Sequence, residues 1–137
     1  MFLTVSKRFE FSASVRPYRT EWSERENQAY YGRGSSAVHG YGTNYTAYFV
    51  FHGPIDSRTG MLVDLAIVKP RILDLLARRY DHKFINADTQ PFDCIPPTPE
   101  NLAVHLLNDA AFLFHDLSAH PVACHLEILQ VVAVAQP

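Results

Sequence analysis

An aspartate and a histidine stand side by side at positions 81 and 82. A carboxylate next to an imidazole can fix the ring's tautomer and raise its basicity, which suits proton transfer. The same two side chains would serve equally well as local caps at the end of a helix, and taken alone they favour that plainer role. A second stretch, GRGSSAVHGYGTNY at 32–45, gathers Ser35, His39, Tyr41 and Thr43 among glycines at 32, 34, 40 and 42. Such a segment lets backbone approach a ligand closely, or forms an ordinary surface loop. Glu100 follows Thr98-Pro99 and falls in the first turn of a helix, where the helix dipole favours a negative charge; it reads equally as a ligand contact or as a simple first-turn charge. His105, His115, His120, Cys94 and Cys124 carry no pattern that demands chemistry, and Trp22, Tyr30 and Tyr31 read as packing.

Composition narrows the classes of function. The chain has 137 residues, 47% hydrophobic and 19% charged, with formal net charge −2 and pI about 6.4. That is the size of one domain with one core. No basic tract invites nucleic acid, and no apolar run reaches the length of a membrane helix. The first residues, MFLTVSKRFEF, alternate with charges and do not read as a signal peptide. Two cysteines without metal-type spacing point to a reducing cytosol and no structural disulfide. The expectation is a cytoplasmic single domain over 1–137.

These residues must be positioned by regular elements. Residues 2–13 read as a strand from the alternation of Phe9 and Phe11 with Arg8, Glu10 and Ser12. Residues 20–31 read as a short helix whose capping box is Ser23 and Glu26. Asn44–Gly53 reads as a strand apolar on both faces, followed by turn residues and a short strand Met61–Val63 that completes a hairpin. Asp64 caps a helix reaching about Tyr80, with Ile67, Val68, Ile72, Leu75 and Leu76 as its apolar stripe. Pro70 moves the expected helix start toward Lys69. Residues 81–97 read as an irregular link. Thr98 caps a helix running to about Leu117 with Ala103, Leu106, Leu107, Ala110 and Phe114 facing inward. Val122–Val134 reads as the closing strand. Helices grouped between antiparallel strands make an α+β fold.

Read together, FEFSAS at 9–14, SERENQAYYG at 23–32, HGYGTNY at 39–45, GPIDSRTGMLVDL at 53–65, DHKFIN at 81–86 and TPENLAV at 98–104 resemble the 6-pyruvoyltetrahydropterin synthase / 6-carboxytetrahydropterin synthase family. The resemblance implies the tunnelling fold: a four-stranded antiparallel sheet with two helices on one face. It also implies trimers or hexamers, whose sheets join into a barrel with small-molecule sites between subunits. In that family the Asp-His pair belongs to the proton-transfer machinery.

The chain departs from the family where the family is most demanding. The three zinc histidines would fall on Val15, Tyr41 and Thr43, which are not zinc ligands. The catalytic cysteine would fall on Gly34 or Ser35, the loop being one residue longer than usual. The pterin-anchoring glutamate would fall on Gln130, whose amide offers a different donor and acceptor pattern. The expectation is a metal-free, cofactor-free lyase or cyclase-type enzyme working by acid/base chemistry in an intersubunit pocket, in a setting such as specialised biosynthesis. His82, Asp81 and Tyr41 are its expected catalytic residues. His39, Glu100, Gln130, Ser35 and Thr43 are its expected ligand contacts. The alternatives are a non-catalytic pterin- or purine-binding oligomer, and an ordinary pterin synthase whose motifs sit elsewhere.

Overall fold

The structure is a computed structural model describing residues 1–127 and 131–136. Its frame is a four-stranded antiparallel meander, β1 (Phe2–Val15), β2 (Tyr41–Pro54), β3 (His120–Leu126) and β4 (Val131–Val134), in that spatial order. Odd-numbered side chains of β1 and β2 build the core: Phe9, Phe11, Ala13 and Val15 on one strand, Tyr45, Ala47, Phe49 and Phe51 on the other, all nearly fully buried. Phe11 stacks on Tyr45 at 4.8 Å, and Phe51 meets Phe114 edge-on at 5.3 Å. The even-numbered residues Thr46, Tyr48 and Val50 are only half-covered and His52 is exposed, so the helices cover one face and leave the other open.

The helices begin where their caps are. In α1 (Glu24–Tyr31) the Ser23 hydroxyl accepts the Glu26 N–H at 3.1 Å, and the Glu26 carboxylate reaches back to Ser23, completing the capping box. In α2 (Leu65–Arg79) Asp64 accepts the Ala66 N–H at 2.9 Å. Pro70 therefore lies inside this helix, not at its start as expected. Ala66 and Pro70 are both exposed, so the carbonyl that loses its donor one turn back faces water, which lowers the usual penalty. Ile67 is exposed as well, leaving Val68, Ile72, Leu75 and Leu76 as the buried stripe. In α4 (Pro99–Leu113) Thr98 accepts the Asn101 N–H at 3.2 Å and Pro99 occupies the first turn. Its five expected core residues are all buried, but the helix ends at Leu113, before the expected Leu117.

Three further expectations are corrected. Met61–Val63 is not a strand: the Asp56 carboxylate and Met61 carbonyl close a local turn, and β2 instead pairs with β1 and β3. The closing segment is two strands, β3 and β4, because His120–Leu126 pairs antiparallel with Val131–Val134; residues 128–130 of the expected strand lie outside the described residues. The 81–97 link also contains a short helix, α3 (Ile85–Asp88). Both cysteines are free thiols, Cys94 exposed and Cys124 buried. Among the described residues no helix is long and apolar enough to cross a membrane.

Candidate functional site

The Asp-His pair is set by an unusual extension of the sheet. Residues 81–86 run along the free edge of β1. The Asp81 carboxylate accepts the Ser12 N–H at 2.9 Å, and the His82 N–H donates to the Ser12 carbonyl at 2.6 Å. Two residues on, the Ser14 N–H donates to Lys83 O at 2.8 Å, and Asn86 both accepts from and donates to the Arg16 backbone at 2.8 Å. The turn requires His82 to take φ 59°, a left-handed conformation that histidine tolerates better than most residues.

Behind this turn, α2 is tied to α4. The Tyr80 hydroxyl donates to Asp109 at 2.5 Å, and Arg79 reaches the same carboxylate at 3.1 Å. Asp81 therefore leaves a fixed helix end.

Within this frame Asp81 Oδ2 lies 2.9 Å from His82 Nδ1. Burial pushes the Asp81 carboxyl up, but the Ser12 N–H and the His82 ring outweigh it and hold the carboxyl below its ordinary value. The imidazole is 84% exposed. With Nδ1 facing the carboxylate, Nε2 is left to act outward.

Two open cavities flank the ring. One, of about 400 Å³, is lined by Glu10, Ser12, Asn44, Thr46, Asp81 and His82. The other, of about 550 Å³, adds Thr43, Lys83 and Phe84. The Ser12 hydroxyl donates to Asn44 Oδ1 at 2.7 Å across the β1–β2 ladder. Tyr45 also lines the first cavity, and burial pushes its phenol up to about 12, so it stays a neutral donor. Ser12, Asn44 and Thr46 were not singled out from the sequence. Their placement depends on strand register, which no local pattern discloses.

The other expected site residues disperse. Thr43 lines the larger cavity beside His82. Tyr41 lines neither cavity, and its ring packs on Gly34. Ser35 is buried, with its hydroxyl donating to Gly32 O at 2.8 Å and its carbonyl accepting from Arg16 Nε at 2.7 Å. That hydroxyl proton is committed to the loop. His39 is exposed and joins the site only through its carbonyl, which accepts from the Ser14 hydroxyl at 3.2 Å. Glu100 is exposed at the start of α4 and lines neither cavity. Gln130 lies outside the described residues.

The positions that the resemblance assigns to zinc do not suit it. Val15 is 3% exposed, faces the core and pairs in register with Tyr41. A valine offers no donor, and neutral Tyr41 and Thr43 hydroxyls are poor ligands. Among the described residues no three His, Cys, Asp or Glu side chains converge in a way that could hold a metal ion.

A four-stranded meander with capped helices on one face, and an Asp-His turn stitched to its edge, defines an α+β enzyme-like domain. A family model described as "6-pyruvoyl tetrahydropterin synthase" matches residues 4–134, and the chain belongs to that family. It is 39% identical over 102 residues to a Drosophila melanogaster protein named 6-pyruvoyl tetrahydrobiopterin synthase, a match covering 74% of this chain and 60% of that protein. The Homo sapiens protein of the same name is 36% identical, with 74% of this chain and 70% of that protein covered. The solved structure of Caenorhabditis elegans 6-pyruvoyl tetrahydropterin synthase superposes with TM-score 0.85 at 24% identity, covering 100% of this chain and 96% of that one. The fold is thus the tunnelling fold of the family.

Proposed function

We propose that this chain is an acid/base enzyme of the lyase or cyclase/isomerase type, acting on a small molecule without zinc. His82 is the proton carrier, Asp81 its orienter, and Thr43, Ser12 and Asn44 are ligand contacts. One observation carries the reading. Asp81 is held through one oxygen by the Ser12 N–H and meets His82 Nδ1 with the other at 2.9 Å, on the rim of two open cavities. A positioned general acid or base supplies about 10²–10⁴-fold in rate, and this arrangement has the parts for one. Tyr41 fills space over Gly34, and its phenol is a secondary candidate for proton donation.

A second reading is favoured by the names of the relatives: a pterin synthase of their kind. The two readings separate on dihydroneopterin triphosphate. The zinc-free reading expects no pyruvoyl or carboxy tetrahydropterin from it, and formation of either product would establish the second reading. Within a panel of reduced pterins and purine nucleotides, a substrate turned over by the wild type should lose about 10²–10⁴-fold with His82→Gln. Equal turnover by the variant would remove His82 from the mechanism, and binding without turnover of any panel member would favour a ligand-holding protein.

A further inference from the structure

Arg16 lines a cavity that shares Phe84, but not His82, with the larger cavity beside the His82 ring. Arg16 is held at its backbone by Asn86 on both sides, at 2.8 Å each. Its Nε donates to Ser35 O at 2.7 Å, and its guanidinium carbon lies 3.8 Å over the ring of Tyr18. The backbone is thus anchored and the side chain fixed at two points, Nε and the guanidinium face. Among the described residues neither terminal nitrogen has a recorded hydrogen bond or ion pair. Arg71, by contrast, spends both terminal nitrogens on Asp116 and Arg79 donates from one to Gln90 O, whereas Arg78 on the surface bonds, like Arg16, only through Nε.

Arg16 lines a cavity of about 270 Å³ whose other walls include Tyr18, Val38, Phe84, Phe92 and Asp93. That volume lies just under the lower end, about 300 Å³, of ordinary ligand clefts, so it admits only a small molecule. Tyr18, Val38, Phe84 and Phe92 form its apolar walls, Thr20, Asn86 and Cys94 its polar ones, and Arg16 and Asp93 bring one cation and one carboxylate. Asp93 accepts from Gln90 through Oδ2 at 3.1 Å and from the neighbouring Cys94 thiol, and its carboxylate keeps lone pairs for a further donor. A simple anion fits poorly here, because Asp93 shares the cavity and Glu24 lines the adjoining one that also touches Arg16. A simple cation fits poorly for the opposite reason. Both charges and the apolar walls are satisfied together by a zwitterion with an apolar body.

We propose that this cavity binds a small α-amino acid with an apolar side chain, its carboxylate on the Arg16 guanidinium, its ammonium at Asp93 and its side chain against Phe84 and Phe92. A fixed guanidinium engages a planar carboxylate through two parallel N–H bonds, and little side-chain entropy remains to be lost.

The test is calorimetric titration of the full chain with L-leucine and L-phenylalanine, and separately with 3-phenylpropionate and phenethylamine, which each lack one charge. Saturable binding of an amino acid is expected, weakened about tenfold or more by Asp93→Asn or by loss of either ligand charge. Arg16→Met should do the same but also releases Ser35, so Val38→Trp, which fills the cavity mouth, serves as an independent block. The proposal fails if neither amino acid binds saturably up to about 10 mM. It fails equally if Asp93→Asn and Val38→Trp leave affinity unchanged, or if 3-phenylpropionate binds as tightly as phenylalanine. None of these readouts depends on turnover at His82.

Discussion

The ring of Tyr41 lies so close to Gly34 that a β-carbon added to the glycine would meet Tyr41 Cε1 at 2.6 Å and its hydroxyl at 3.2 Å. By the family resemblance, Gly34 stands at or next to the catalytic-cysteine position and Tyr41 at a zinc-ligand position. The two departures fit each other sterically: the phenol takes the room that a side chain at 34 would need. Gly34→Ala should therefore destabilise the wild type by about 1 kcal/mol, the low end of the overpacking range, because Tyr41 is 43% exposed and can turn outward. In a Tyr41→Ala background the same change should cost almost nothing. Denaturant unfolding of the four proteins in this double-mutant cycle gives the coupling directly. Equal costs in both backgrounds would show that the contact is not felt.

Asp81 links the site to acid stability. Its folded value lies below the unfolded one, since the Ser12 N–H and the His82 ring outweigh burial. Its contribution is fully present above the ordinary carboxylate value of about 3.9 and is lost as pH falls through the lowered folded value. Asp81→Asn cannot titrate, so its melting temperature should fall less steeply than that of the wild type between about pH 4 and pH 2. Parallel acid limbs would mean that Asp81 is not held as the geometry implies. If Asp81 orients the His82 ring, the same variant should also slow turnover, but by less than His82→Gln does.

The donor set at Val15, Tyr41 and Thr43 leads to a metal prediction. Purified protein should contain no stoichiometric zinc by elemental analysis, and a chelator should change neither its melting temperature nor its activity. One zinc per chain would refute this and turn attention to the pterin synthase reading.

The free edge of β1 leads to a prediction about assembly. Ser12, Ser14 and Arg16 use outward backbone groups to bond the 81–86 segment. The β1–β2 register runs without a break from Phe2 to Val15. By strand alternation Thr4, Ser6, Arg8 and Glu10 therefore also point backbone groups outward, along an edge that a neighbouring strand can extend. Light scattering should show a closed oligomer built on trimers. Ser6→Pro removes one outward donor without touching the β2 ladder and should shift the protein toward monomer. A wild-type monomer at micromolar concentration, or a variant that assembles normally, would rule this edge out as the contact.

Much of this molecule is written locally. Alternating Phe9 and Phe11, the Ser23–Glu26 box, the Asp64 and Thr98 caps and the α4 stripe each depend on neighbours within a few residues. Local physics sets them, so they are legible in the sequence. The Asp81-His82 pair is legible as a pair for the same reason.

Tertiary structure decided the rest, because the rest depends on partners far along the chain. Ser12 holds Asp81 across 69 positions, and only strand register brings Asn44 opposite Ser12. Pro70 is tolerated inside α2 because its turn faces water, a fact of packing and not of propensity. The segment after Gly53 has turn chemistry whether or not a strand follows, so only pairing could show that Met61–Val63 is not one. Tyr41 and His82 both looked chemical in the sequence. Only the folded chain put one over Gly34 and the other on the rim of a cavity, because side-chain neighbours are chosen by the sheet and not by spacing along the chain.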